Sequence, residues 1–138
     1  MQYTLHLSSE NMNNLHEHAE TNLPNESAAL IFGIVSGSSI IVKHIELVLN
    51  ESSSSIISFK VNPEEQYRLF VEAEKRDEEL VCIFHSHPAP PYPSNTDLKN
   101  MKLNPVAWLI ASKESGEWKS RAYLLNEETV EEIKVILT

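Results

Sequence analysis

The stretch "VCIFHSHPAPPYPSNTD", Val81 to Asp97, joins an apolar run to two histidines one residue apart. A proline-rich segment follows, then a serine and an aspartate three apart. Leu80 to Phe84 reads as a short buried strand. Side chains two apart on a strand share a face, so His85 and His87 project together. If the pleat continues, Val81 and Ile83 stand behind them, and Leu80, Cys82 and Phe84 point the other way. Pro88, Pro90, Pro91 and Pro93 each fix φ and lower the entropy of ordering the connection. Ser94 then begins a short helix through about Met101, which places Asp97 one turn in, where it can be carried back over the histidines. Two imidazoles and a carboxylate leave a fourth tetrahedral position open. That is the donor set of a catalytic zinc site rather than a structural one.

Local readings compete with this one. "SNTD", Ser94 to Asp97, is also a variant capping box with Ser94 as the cap. An H-x-H triplet on its own is commonly accidental. His16 and His18 are also two apart, but on a predicted helix they lie about 200° apart around the axis and cannot chelate one ion together. They are expected on the helix surface. His6 and His44 are single strand histidines with an expected structural role, and Cys82 is expected in the core.

Outward from this stretch, elements follow from periodicity and punctuation. Tyr3 to Leu7 alternates as a strand. A helix runs from about Ser9 to Asn22 with Met12, Leu15 and Ala19 on one face, and Pro24 follows its end. Ala28 to Val35 and Ile40 to Leu49 are strands joined at "SGSS" as a hairpin. "ESSSS", Glu51 to Ser55, reads as a surface loop, and Ile56 to Val61 as a further strand. Asn62-Pro63-Glu64-Glu65 starts a helix with cap, proline and acid in order. That helix is expected to carry Tyr67, Phe70 and Val71 inward and to end near Arg76. Val106 to Ala111, Trp118 to Leu124 and Val130 to Leu137 complete about eight strands and three helices, a mixed α/β sheet with helices against it.

The 138 residues suit one domain, 1–138, with no repeat or linker. Apolar content of 41% and charged content of 22% place the chain among ordinary soluble globular proteins. The net charge of -9 argues against nucleic acid and anionic membrane surfaces as partners. No apolar run approaches the length of a membrane span, and the first residues carry no basic and apolar leader pattern. The single cysteine excludes an internal disulfide and any multi-cysteine metal site, which fits a reducing cytoplasmic compartment.

Taken together, "HSHP", "PS" and "TD" resemble the JAMM motif of the MPN+ metalloproteases: a distal glutamate, H-x-H, then serine and aspartate three apart. The family's glutamate follows the first helix in a segment like P-x-E-x-x-x-x-x-x-G, and "LPNESAALIFG", Leu23 to Gly33, occupies that place. "LHEHAETNLP" is similar to the family's first helix and its exit. One departure is present: six residues separate His87 from Ser94, where the usual family spacing is seven. The shorter loop is expected to leave the ligands in place. The resemblance implies a single MPN, cytidine-deaminase-like domain with one zinc ion held by His85, His87 and Asp97. It implies Glu26 as the base that takes a proton from zinc-bound water and passes it to the leaving amine. It implies Ser94 as a donor to the oxyanion.

The resemblance further implies hydrolysis of the amide bond after the C-terminal Gly-Gly tail of a ubiquitin-like or sulfur-carrier-like protein. An exposed sheet edge would suit such a tail, with the proline loop and a strand near Ser54 to Val61 flanking it. The compact length points to a stand-alone prokaryotic-type enzyme, and the family allows a homodimer. Two alternatives stay open. One is hydrolysis of small peptides or carrier–cysteine conjugates at the same site. The other is a catalytically silent MPN scaffold, which would usually lack one of the five motif residues present here.

Overall fold

The computed structural model describes residues 2–49, 61–87 and 95–138. Its elements are β1 (Thr4–Leu7), α1 (Ser9–Asn22), β2 (Ala28–Ser36), β3 (Ser39–Val48), α2 (Pro63–Lys75), β4 (Glu79–His87), α3 (Asn95–Leu103), β5 (Ala107–Glu114), β6 (Glu117–Asn126) and β7 (Thr129–Leu137). The strands are ordered β1-β3-β2-β4-β5-β6-β7, and β1 pairs with β7 to close a barrel. The sheet is mixed: β1 runs parallel to β3 and β7, β4 runs parallel to β5, and the other pairs are antiparallel. Seven strands are described where about eight were expected. The further strand expected at Ile56 to Val61 lies, apart from Val61, outside the described residues.

Helices cover both faces of the sheet. Met12, Leu15 and Ala19 of α1 pack with Ile31, Phe84 and Leu109 on one face. Leu69 and Ala73 of α2 and Met101 of α3 pack with Leu30, Ile83, Trp108 and Ile110 on the other. The middle of β2, β4 and β5 is therefore buried on both sides, which is why those strands read as unbroken apolar runs rather than alternating ones.

The helix starts are locally encoded. Ser8 Oγ accepts from the Asn11 N–H at the head of α1. Asn62 Oδ1 accepts from the N–H groups of Glu64 and Glu65 at the head of α2, with Pro63 in the first turn. The inward face of α2 differs from expectation. Leu69 and Ala73, one turn apart, are buried, while Tyr67 is 72% exposed and Phe70 only reaches Phe32 edge-on from the flank. Val71 is half-buried. Small Ala73 lets the helix approach the sheet along the Leu69 stripe, and Tyr67 sits on the far side of that stripe.

Two irregularities set the sheet's register. Between β2 and β4 the pairing slips at Val81, since Ile31 faces Cys82 and Phe32 faces Leu80. This bulge breaks the alternation: Val81 joins the α1 side and Leu80 the α2 side, opposite to the continuous-pleat expectation. Beyond the bulge Ile83 keeps its expected face. Between β2 and β3 the register slips at Gly33, and any Cβ there would meet the Ile41 carbonyl oxygen at 1.9 Å. Only glycine admits so close a backbone approach.

Candidate active site

β4 runs on through both histidines, so they extend a strand that is held by β2 on one side and β5 on the other. His85 faces Ala28 in register on β2 and Ile110 on β5, and His87 faces Ser112 on β5. His85 is 1% exposed and meets the Trp108 ring edge-on. The two imidazoles are themselves near-perpendicular, with centroids 5.8 Å apart.

Asp97 arrives from α3. It lies one turn before Met101, so the two share a helix face. Met101 is fully buried in the core beneath the sheet, and the Trp108 Nε1–H donates to the Asn104 carbonyl just past the helix. These anchors seat α3 on β4 and β5. Asp97 Oδ1 then lies 3.1 Å from His85 Nδ1, and Oδ2 lies 3.1 Å from His87 Nε2. A single buried carboxylate thus addresses both imidazoles.

Glu26 arrives from the other side, in the segment between α1 and β2. It is 5% exposed rather than a solvated turn acid, and its Oε1 meets His85 Nε2. Two serines that sequence reasoning passed over hold it there. The Ser27 N–H and hydroxyl both donate to Ser86 Oγ, at 2.7 and 3.0 Å. The Ser86 N–H donates back to the Ser27 carbonyl at 3.1 Å. The middle residue of H-x-H therefore clamps the residue after Glu26. Its only sequence signal was its position between two histidines, which reads as a spacer. Ser94 and the proline loop lie outside the described residues.

Electrostatics follow from this packing. Burial alone would push the His85 pKa down. Hydrogen bonds to Asp97 and Glu26 and their charges outweigh it and hold the pKa at about 9. His85 is thus an imidazolium at neutral pH when only these two carboxylates face it.

The donor set suits a divalent metal. Nδ1 of His87 is buried and has no hydrogen-bond partner among the described residues. An unmet buried nitrogen typically costs about 1–3 kcal/mol, so a lone pair kept there wants an acceptor of electron density. Two imidazoles and one carboxylate form the ligand set of a catalytic zinc site. In the described arrangement these groups touch as charge pairs, and among the described residues no three His, Cys, Asp or Glu side chains already stand ready to hold one ion. Holding a metal would require His85 to give up its proton and Asp97 to exchange imidazole contacts for the ion.

Beside this cluster lies a narrow cleft between the Leu23–Glu26 segment, Ser86 and His87, and Trp118 of β6. About 20 Å³ of it is open to the centre of a water molecule, room for one water next to Glu26. The remaining histidines stand elsewhere. His16 and His18 are half-buried and tied to the sheet through Ser120 Oγ and the Ala28 carbonyl, not free on the helix surface. His6 contacts Thr4 Oγ1, and His44 contacts Glu46. Cys82 is fully buried, and burial pushes its thiol pKa far up.

The family described as prokaryotic homologues of the JAB domain matches residues 8–124. A desampylase of Pyrococcus furiosus is 38% identical over 113 residues, covering 80% of this chain and 78% of that protein. A CysO-cysteine peptidase of Mycobacterium tuberculosis is 29% identical over 133 residues, covering 94% of this chain and 88% of that one. A Desulfitobacterium hafniense protein known from a solution structure superposes with a TM-score of 0.85 at 27% identity, over 97% of this chain and 92% of that one.

Proposed function

The chain belongs to the family of prokaryotic homologues of the JAB domain and is an enzyme of the JAMM peptidase type; from that premise we propose that residues 1–138 form one zinc-dependent hydrolase domain. Its substrate is the amide bond that follows the Gly-Gly tail of a small ubiquitin-like or sulfur-carrier-like protein. The observation that carries this reading is the meeting of Asp97 with both His85 and His87 while Glu26 meets His85 from the opposite side. The four come from three separate parts of the chain, and accident does not usually bury two carboxylates against two imidazoles.

His85, His87 and Asp97 would hold the zinc ion, which supplies the positive charge that polarises a carbonyl and acidifies water. Glu26 sits beside the water-sized space in the cleft. Its carboxylate accepts a proton as the attacking water adds to the scissile carbonyl, then delivers that proton to the departing nitrogen. The serine clamp keeps this carboxylate from swinging away between the two transfers. Ser94, just before α3 in sequence, donates a hydrogen bond to the developing oxyanion. The stretch of β3 after Ile41 pairs only with β2 among the described strands, and Val48 at its end faces Ala28, which faces His85. An extended tail lying along that edge would run toward the site.

A second reading, hydrolysis of a carrier–cysteine conjugate, uses the same atoms and has support in the CysO-cysteine peptidase likeness. Purified protein incubated with Gly-Gly-tailed carrier joined to lysine or to cysteine separates the two readings. The hydrolase reading is tested with Glu26→Gln. Zinc stays near one per chain by mass spectrometry, and turnover falls by at least about 10²-fold. Undiminished cleavage by that variant removes Glu26 from the mechanism. Absence of zinc from the wild-type protein after loading removes the metal.

A further inference from the structure

His18 stands on α1, upstream of Glu26, and the chemistry above makes no use of it. Both ring nitrogens are engaged, and their partners lie on either side of Glu26 in the chain. Nε2 is 3.0 Å from the Ala28 carbonyl at the start of β2. Nδ1 is 3.3 Å from the side-chain amide nitrogen of Asn22, the last residue of α1. A carbonyl oxygen only accepts, so Nε2 carries the proton and donates it to Ala28. An amide nitrogen only donates, so Nδ1 meets Asn22 with its lone pair. One tautomer serves both neighbours.

The segment between these two ties depends on its ends. Leu23, Pro24 and Asn25 are exposed, so the core gives little hold on the chain before it turns in to buried Glu26. At the near end the Asn22 side-chain amide also donates to the His18 carbonyl at 2.7 Å. The Asn22 carbonyl in turn accepts from the Asn25 N–H at 2.8 Å, one residue before Glu26. At the far end Ala28 is fully buried and faces His85 in register. A single imidazole therefore bridges Asn22 and Ala28, and Glu26 lies within the span. This hold comes from α1, whereas the Ser86 clamp comes from β4.

We propose that His18 is a positioning residue for the general base: by bridging Asn22 and Ala28 it holds the segment that carries Glu26 and so sets where the carboxylate stands. This rests on the hydrolase reading above and deepens it, by naming a residue outside the motif on which the proton transfers depend. A reacting group displaced by about 1 Å can cost about 10²-fold in rate. The hydrogen bonds of His18 reach none of His85, His87 and Asp97, so its loss is expected to spare the metal.

The test uses zinc-loaded protein and a Gly-Gly-tailed carrier joined to lysine or to cysteine, whichever the wild type cleaves faster. His18→Phe keeps a flat ring and removes both hydrogen bonds. It is expected to lower kcat by about 10–100-fold, with KM within about twofold of wild type and zinc near one per chain. His18→Gln, whose side-chain amide can donate where Nε2 does, is expected to recover most of the loss. His16→Phe removes the neighbouring tie from α1 to Ser120 and is expected to keep the wild-type kcat. Melting temperature and zinc content establish that each variant is folded and loaded. Where His18→Phe does not fold, His18→Ala takes its place, with the same fall expected. A folded, loaded variant with the wild-type kcat overturns the inference and leaves the hydrolase reading intact. So does a His18→Gln no faster than His18→Phe, or an equal fall in His16→Phe, since either would make the effect a general loosening of α1. Wild type that binds zinc and cleaves neither conjugate ends both.

Discussion

Ser86 shows how much a site can depend on a side chain that takes no part in bond making. Without its hydroxyl, the buried Ser27 N–H loses its acceptor, which costs about 1–3 kcal/mol or forces the segment to move. Glu26 is the adjacent residue and moves with it. Ser86→Ala is expected to lower kcat by about 10–100-fold with KM little changed, and Ser86→Thr to restore most of the loss. Steady-state kinetics on a Gly-Gly substrate check this, and an unchanged kcat would show that Glu26 is held by other means. His85 makes a different prediction. Its folded pKa of about 9 stands above the ordinary 6.5, so its ion pairs stabilise the metal-free protein fully below about pH 6.5. That contribution disappears as pH rises through about 9. The melting temperature of the metal-free protein is expected to fall across that window, and the zinc-loaded protein to lack the fall, because the imidazole is then already deprotonated. A flat curve for the metal-free form contradicts the pairing. At this scale the sequence was informative where the residue type itself carries the chemistry. The meeting of two histidines with Asp97 and Glu26 could be expected from residue type and spacing, while the Ser27–Ser86 contact could not, since serine serves too many purposes for spacing to single it out.

Among the elements, α3 does the most with the least chain. Nine residues position Asp97, and fully buried Met101 pins the helix face that bears it. Met101→Ala is expected to lose about 2–5 kcal/mol of stability and also to weaken zinc binding. Leu69→Ala makes a comparable cavity on α2, a helix that carries none of the four clustered side chains, and is expected to lose stability alone. Urea midpoints beside zinc titrations distinguish the two, and equal zinc affinity in both variants would show that α3 needs no such pin. The bounds of α1 and the start of α2 could be read in advance because capping is local: Ser8 and Asn62 act on N–H groups two or three residues away. The face of α2 could not, because Tyr67, Phe70 and Val71 are as apolar as its true contacts, and the choice belongs to the sheet beneath. The Val81 bulge was equally hidden. An inserted residue leaves no mark in an apolar run, yet it decides which of Leu80 and Val81 meets α1.

Across the whole molecule, closure of the sheet ties the first described strand to the last. β1 and β7 lie more than 120 positions apart in the chain, and their parallel pairing has no local signature, so the barrel could not be anticipated from strand patterns. Closure also implies shared fate. The two apolar clusters lie on opposite faces of the same strands, so neither helix layer has a sheet of its own to fall back on. Urea unfolding followed by far-ultraviolet circular dichroism and by tryptophan emission is expected to give one common midpoint. Separate midpoints would show that part of the chain folds independently.

The burial of Cys82 has a practical consequence. It is the chain's sole cysteine and lies sealed between α1 and the sheet, with its sulfur in contact with backbone groups of Ile83 and Leu109. Maleimide dyes and nitroxide spin labels will pass it by in the folded state. A cysteine introduced at an exposed position such as Tyr67→Cys becomes the one attachment point for a fluorophore, with no native residue to remove first.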